Sequence, residues 1–122
     1  MHEMGIAMQI VEIAIASIPA DLENARIDRV NLKVGKLAAV VPESLHFCFQ
    51  IAAQDTPLHH ADLYIEEIPV VARCTDCQVE WTVHEPVFRC EQCSSGSVEV
   101  ISGRELDIIS IEVVDEDTTD AD

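Results

Sequence analysis

Basic residues are scarce in this 122-residue chain: seven lysines and arginines stand against 23 aspartates and glutamates, for a net charge of −16. A nucleic-acid surface needs a basic stripe to neutralise phosphates. This chain has none, so DNA and RNA are excluded as partners. Glycine is nearly as rare, with four in all, and no glycine-rich loop that could cradle a phosphate appears. Nor does any Ser/His/Asp grouping or pair of carboxylates in a plausible cleft, so an enzyme is not expected. Long apolar runs are missing too. The stretch from Met4 to Ile18 is broken by Gln9, Glu12 and Ser17 and is too short to span a bilayer. The opening Met-His-Glu-Met-Gly carries no basic region of the kind a signal peptide begins with. A cytoplasmic protein without a membrane partner is the expectation.

What is present is enough for a core: 48% of residues are apolar, ordinary for a globular chain. The five cysteines are unevenly placed. Cys74-Thr75-Asp76-Cys77 and Cys90-Glu91-Gln92-Cys93 flank a twelve-residue spacer, and Cys48 stands apart. Two residues between paired cysteines let a tight turn aim both sulfurs at one point. Two such turns facing each other give the tetrahedral four-thiolate arrangement of structural zinc. Disulfides and a thioredoxin-like redox pair are the rival readings. A reducing compartment argues against the first. The second wants a single exposed pair at a helix start, whereas two pairs lie here in a strand-like region. Iron is a further rival, but neither turn has the proline and glycine of rubredoxin knuckles.

The spacer is long enough for a strand, a turn and a strand back. Val79, Trp81, Val83, Val87, Phe88, Val98, Val100 and Ile101 are the expected core of this segment. Units below roughly 40 residues rarely fold unaided, and structural zinc contributes on the order of 10 kcal/mol in small fingers. The metal is therefore expected to decide whether residues 73–102 fold. Arg73 and Arg89, each just before a first cysteine, and Arg104 are read as offsetting the charge of the thiolates.

Around this segment the pattern alternates between helix and strand. Residues 4–18 put Ile6, Ile10, Ile13 and Ala14 on one helical face with Met8, Val11 and Ile15 alongside, which predicts a helix buried over most of its girth and ended by Pro19. Residues 26–35 alternate polar and apolar from Arg29 to Val34, predicting a half-buried strand with Val30, Leu32 and Val34 inward. Pro42 suits the first position of a second helix, with Leu45, Cys48, Phe49 and Ala52 on one face. A turn at 55–57 leads to a strand with Leu63 and Ile65 on one side and Asp62, Tyr64 and Glu66 on the other. Pairing it with the Arg29/Lys33 strand would oppose unlike charges. The β-rich run 105–113 is expected to return to that first sheet.

The fold class is thus α+β: two helices packed on a small mixed sheet, with an inserted four-cysteine zinc ribbon. The limits are 1–72 with 103–114 for the main domain, 73–102 for the ribbon and 115–122 for an acidic, disordered tail. Cys48 reads as a buried free thiol, and His46, His59, His60 and His84 read as surface residues.

The extreme start carries the sharpest possibility. An amine, the next amide nitrogen and a histidine ring nitrogen at position 2 can close fused chelate rings, a planar nitrogen-rich setting suited to nickel(II) or copper(II). Met1 would supply the amine and His2 the amide and imidazole, with the Glu3 backbone nitrogen or carboxylate completing the set. Most second-position histidines are merely solvated.

Met1-His2-Glu3 opening a helix, Lys33-Val34-Gly35 ending a strand, Ser44-Leu45-His46-Phe47-Cys48-Phe49 on a helix, the paired knuckles and the closing strand together resemble one family. It is the HypA/HybF nickel metallochaperone family of hydrogenase maturation. The resemblance implies Ni(II) as transient cargo at Met1, His2 and Glu3, and structural Zn(II) at Cys74, Cys77, Cys90 and Cys93. It implies a nickel-handling maturation GTPase and a hydrogenase large-subunit precursor as partners, with urease maturation served by some members. It is compatible with a monomer or a homodimer. The family's accessory carboxylate in the loop after the Val-Gly strand end has no counterpart in residues 36–42. A zinc-ribbon adaptor that never carries nickel is the alternative.

Overall fold

The computed structural model describes residues 3–22 and 24–115. Helix α1 runs Glu3–Ala16, strand β1 Ala25–Gly35, and a 3-10 turn Lys36–Ala38 leads to helix α2, Pro42–Ala52. Strands β2 (Asp62–Ile68), β3 (Val71–Cys74), β4 (Glu80–Thr82), β5 (Val98–Ser102) and β6 (Leu106–Asp115) follow. They form two three-stranded sheets, one ordered β2-β1-β6 and one ordered β4-β3-β5. The two-helix, mixed-sheet α+β architecture with a separate cysteine-bearing sheet is the one the sequence predicts. Two compact units result, one over residues 3–32, 40–66 and 107–115, the other over 33–39 and 67–106.

In the first unit, α1 packs against α2. Ile6, Ala7, Ile10, Val11 and Ala14 form its buried stripe, and the two alanines, both fully buried, leave room for a close helix neighbour. The expectation of burial round most of the girth is corrected: Met8 and Ile13 are each 53% exposed. The packing against α2 covers a stripe, and three or four residues per two turns suffice to fill it. The helix ends at Ala16, three residues ahead of Pro19, and Ser17 Oγ donates back to the Ile13 carbonyl at 2.8 Å.

In β1, Ile27, Val30, Leu32 and Val34 are buried, as the alternation requires, and Leu45, Phe49, Leu58 and Leu63 join them from α2 and the β2 region. Burying a side chain of this size is worth about 1.5–3 kcal/mol. β2 and β6 flank β1, so the 105–113 run does return to the first sheet. The expected charge pairing is different in detail. Arg29 lies over the Tyr64 ring of β2 at 4.5 Å and meets Glu112 of β6 at 3.7 Å, because the middle strand has a neighbour on both sides. Cys48 is half-buried.

In the second unit, β3 is the central strand. It pairs antiparallel with β4 in the register Ala72↔Trp81 and Arg73↔Glu80, and with β5 in the register Arg73↔Glu99 and Cys74↔Val98. Only one short strand forms in the spacer, since its partner comes from before the first knuckle. Val87 is 59% and Ile101 42% exposed, and Phe88 is also exposed, against the expected core. The strand period explains Ile101: Val98 and Val100 take the covered face, which leaves residues 99 and 101 outside. Arg73 does not face the thiolates. Its Nη2 donates to Glu80 at 2.7 Å.

Gly35 ends β1, its N–H donating to the Glu105 carbonyl at 2.7 Å, and Leu37 N–H donates to the Gly103 carbonyl at 2.7 Å. Gly103 has φ +117° and packs on Val70.

Candidate metal centre

The cysteine pairs are built alike. In the first knuckle Gln78 N–H donates to the Cys74 carbonyl at 2.9 Å, and Cys74 N–H donates to Val79 at 2.9 Å. In the second, Ser94 N–H donates to the Cys90 carbonyl at 3.0 Å, and Cys90 N–H donates to Ser95 at 3.0 Å. The residue after each second cysteine turns left-handed, with φ 68° at Gln78 and 62° at Ser94. This repeat puts the first sulfur of each pair inside and the second outside: Cys74 and Cys90 are buried, Cys77 and Cys93 exposed.

Side chains and backbone tie the two turns together. Thr75 donates to the Ser97 carbonyl through its N–H at 2.9 Å and its Oγ1 at 3.0 Å, and the Ser95 hydroxyl donates to the Asp76 carboxylate. The four sulfurs therefore converge, all within 4.8 Å of one another. Cys74 Sγ lies 3.6 Å from Cys93 Sγ, and Cys77 Sγ lies 3.5 Å from Cys90 Sγ. A disulfide needs about 2.05 Å, so these are free thiols. A zinc–sulfur bond of about 2.3 Å gives a tetrahedron with edges near 3.8 Å. The observed separations fit such an ion, and the all-sulfur donor set suits one of borderline or soft character.

The thiols are not equivalent. The backbone N–H of Cys93, aided by that of Gln92, points at the Cys90 sulfur, each at 3.4 Å. Stabilisation of the thiolate by the Cys93 amide outweighs burial and lowers Cys90 to about 7. The Ser95 amide acts the same way on Cys93, but hydrogen bonding with Cys74 together with burial outweighs it and pushes Cys93 up to about 12. Of these two thiols, Cys90 is thereby the one that ionises more readily toward an incoming cation.

Of the three residues expected at the second site, Met1 and His2 lie outside the described residues. Glu3 begins α1, and its Oε2 accepts the backbone N–H of Val41 at 3.3 Å. The histidines 46, 59, 60 and 84 are all exposed, and the structure brings none of them into the cysteine cluster. Sequence reasoning missed the left-handed Gln78 and Ser94 and the Thr75, Asp76, Ser95 and Ser97 braces. The run of small polar residues after Cys93 was the signal available.

A family described as "Hydrogenase/urease nickel incorporation, metallochaperone, hypA" matches residues 1–113. A hydrogenase maturation factor HypA of Desulfosudis oleivorans is 63% identical over 113 residues, which are 93% of this chain and 98% of that protein. One of Desulfatibacillum aliphaticivorans is 56% identical over 94% of this chain and 88% of its own length. The solution structure of the Ni metallochaperone HypA from Helicobacter pylori has the same fold, with a TM-score of 0.66 at 22% identity over 93% of this chain and 98% of that one.

Proposed function

Since this chain belongs to the HypA family of hydrogenase maturation nickel metallochaperones, we propose how its residues divide the metal work. The protein is a non-enzymatic maturation factor whose cargo is nickel. Zinc stays at Cys74, Cys77, Cys90 and Cys93. Nickel is taken up at the Met1 amine, the His2 amide and imidazole, and Glu3, then passed on.

The single observation that carries this division is the closed four-sulfur cluster, whose sulfurs all lie within 4.8 Å of one another. Four sulfurs close a tetrahedron and leave no open position, so a transferable ion needs another site. A donor set at a chain end, away from a packed outer shell, opens more readily than a buried cage. Deprotonated amide nitrogens favour the planar geometry that nickel(II) accepts.

Delivery is to a hydrogenase large-subunit precursor in concert with a nickel-handling GTPase, and urease maturation is a second outlet. Among the described residues no helix is long and apolar enough to cross a membrane. Five free cysteines fit a reducing cytoplasm. The adaptor reading gives way to the family assignment.

Metal analysis tests the division. The untagged chain should carry one zinc and, after nickel loading, one nickel beside it. Cys90→Ser should lose zinc. Loss of zinc upon nickel loading, with nickel taking its place, would overturn the two-site reading.

A further inference from the structure

A circuit of hydrogen bonds joins the first knuckle to the end of the second. The Ser95 hydroxyl donates to Asp76 Oδ2, and the same Ser95 oxygen accepts the Ser97 N–H at 3.0 Å. The Ser97 carbonyl in turn accepts from Thr75, through its N–H at 2.9 Å and its Oγ1 at 3.0 Å. Thr75 and Asp76 are neighbours between Cys74 and Cys77, so their peptide link closes the circuit. Ser95 belongs by its backbone to the second knuckle, where its carbonyl accepts the Cys90 N–H at 3.0 Å. Its side chain belongs to the first.

We propose that Asp76 and Ser95 form a latch that sets how fast zinc leaves the four cysteines. Both are positioning residues, and neither is a ligand. The proposal rests on the reading that zinc resides at Cys74, Cys77, Cys90 and Cys93, and it adds what keeps the ion there while nickel passes through.

Zinc leaves only when the knuckles part, because each supplies two of the four sulfurs. The first knuckle is anchored by β3, whose Cys74 pairs with Val98 of β5. The second meets β5 through residues 94–97, so whatever holds that connection holds the knuckles together. Packing around Gly96 does not hold it, since a Cβ built there would meet nothing within 4 Å. The bonds of Ser95 and Ser97 do, and an ionised acceptor makes the one to Asp76 stronger than a bond between neutral groups. The latch also stands on the open side of the cluster. Cys77, next to Asp76 in the chain, and Cys93, just ahead of Ser94 and Ser95, are the exposed sulfurs, and an incoming chelator meets these first.

The test is the rate of zinc release to an excess of chromogenic chelator, from the zinc-loaded chain and its variants. Ser95→Ala and Asp76→Ala should each release zinc about five-fold faster, the scale of one net hydrogen bond. Asp76→Asn keeps an oxygen that accepts the Ser95 hydroxyl and should stay within about two-fold of the parent. Combining Ser95→Ala with Asp76→Ala should add little, since both remove the same bond. Cobalt(II) in place of zinc should give every variant the parent's absorption spectrum, which a displaced sulfur would alter. Amide exchange of Ala72 and Arg73 in β3 should also be unchanged, because the opening is local.

Parent-like release from both Ser95→Ala and Asp76→Ala would overturn the latch. So would release from Asp76→Asn as fast as from Asp76→Ala, which would make the charge and not the bond decisive. Faster release matched by equally faster exchange in β3 would reduce the pair to ordinary support of the sheet. Zinc held by Cys90→Ser as firmly as by the parent would fell the sulfur site itself, a failure that no variant of Asp76 or Ser95 can mimic.

Discussion

Gly35 and Gly103 touch backbone to backbone: a Cβ built on Gly35 would lie 2.0 Å from the Gly103 carbonyl oxygen. Gly35 has an ordinary φ of −74°, so space and not conformation demands glycine there. Gly35→Ala should push the 103–105 segment away and break the two 2.7 Å bonds that hold it. Overpacking of this kind costs roughly 1–3 kcal/mol, and the clash with backbone puts this case at the upper end. Urea unfolding of the zinc-loaded protein measures it, and an unchanged midpoint would contradict the close contact.

Gln78 and Ser94 occupy the left-handed positions after the second cysteine of each knuckle. For residues with a Cβ that conformation costs about 1–2 kcal/mol, part of which glycine returns as unfolded-state entropy. Gln78→Gly and Ser94→Gly should each stabilise the zinc-bound form by about 0.5–1 kcal/mol. Denaturant midpoints of the zinc-loaded variants check this, and destabilisation by both would show that their side chains matter more than the strain.

Cys90, lowered to about 7 by the amide of Cys93 and then that of Gln92, should ionise well before Cys93, raised to about 12, wherever the two knuckle turns keep their fold without metal. Ultraviolet thiolate absorbance should show one step near the lower value, absent in Cys90→Ser. The ordinary thiol value is about 8.5. Because the folded value is depressed, this group favours the fold fully above the ordinary value, and its contribution is lost as pH falls through about 7. Cys93 has the opposite sign. Raised to about 12, it helps the fold below the ordinary thiol value and ceases to help as pH climbs toward that figure. Zinc uptake above the Cys90 step should release fewer protons than uptake below it, because Cys90 is then already ionised. A pH indicator in weakly buffered solution reads this directly.

Much of this was legible because it rests on local pattern. Arg29 to Val34 alternate, and the strand they announce buries Val30, Leu32 and Val34. The two Cys-x-x-Cys turns announce a cluster, and the structure closes one. The failures share a physical cause: composition reports how apolar a residue is, not which neighbour covers it. Ile13 and Val87 are as apolar as Ile10 and Val98, yet Ile13 lies outside the buried stripe of α1, and Val87 follows Pro86 beyond the end of β4. Adjacency along the chain points Arg73 at the thiolates, whereas the β3–β4 register sets it opposite Glu80. The Glu3–Val41 contact spans 38 positions, and no local pattern announces such a pair.

The central claim is that a free amine and the adjacent imidazole capture nickel while the sulfur-held ion stays put. Calorimetric nickel titration of the untagged chain, with zinc content followed throughout, tests it most directly. The account predicts one nickel per chain, undiminished zinc, and loss of binding both in His2→Ala and when a single extra residue precedes Met1. Full nickel affinity in either altered protein would contradict it.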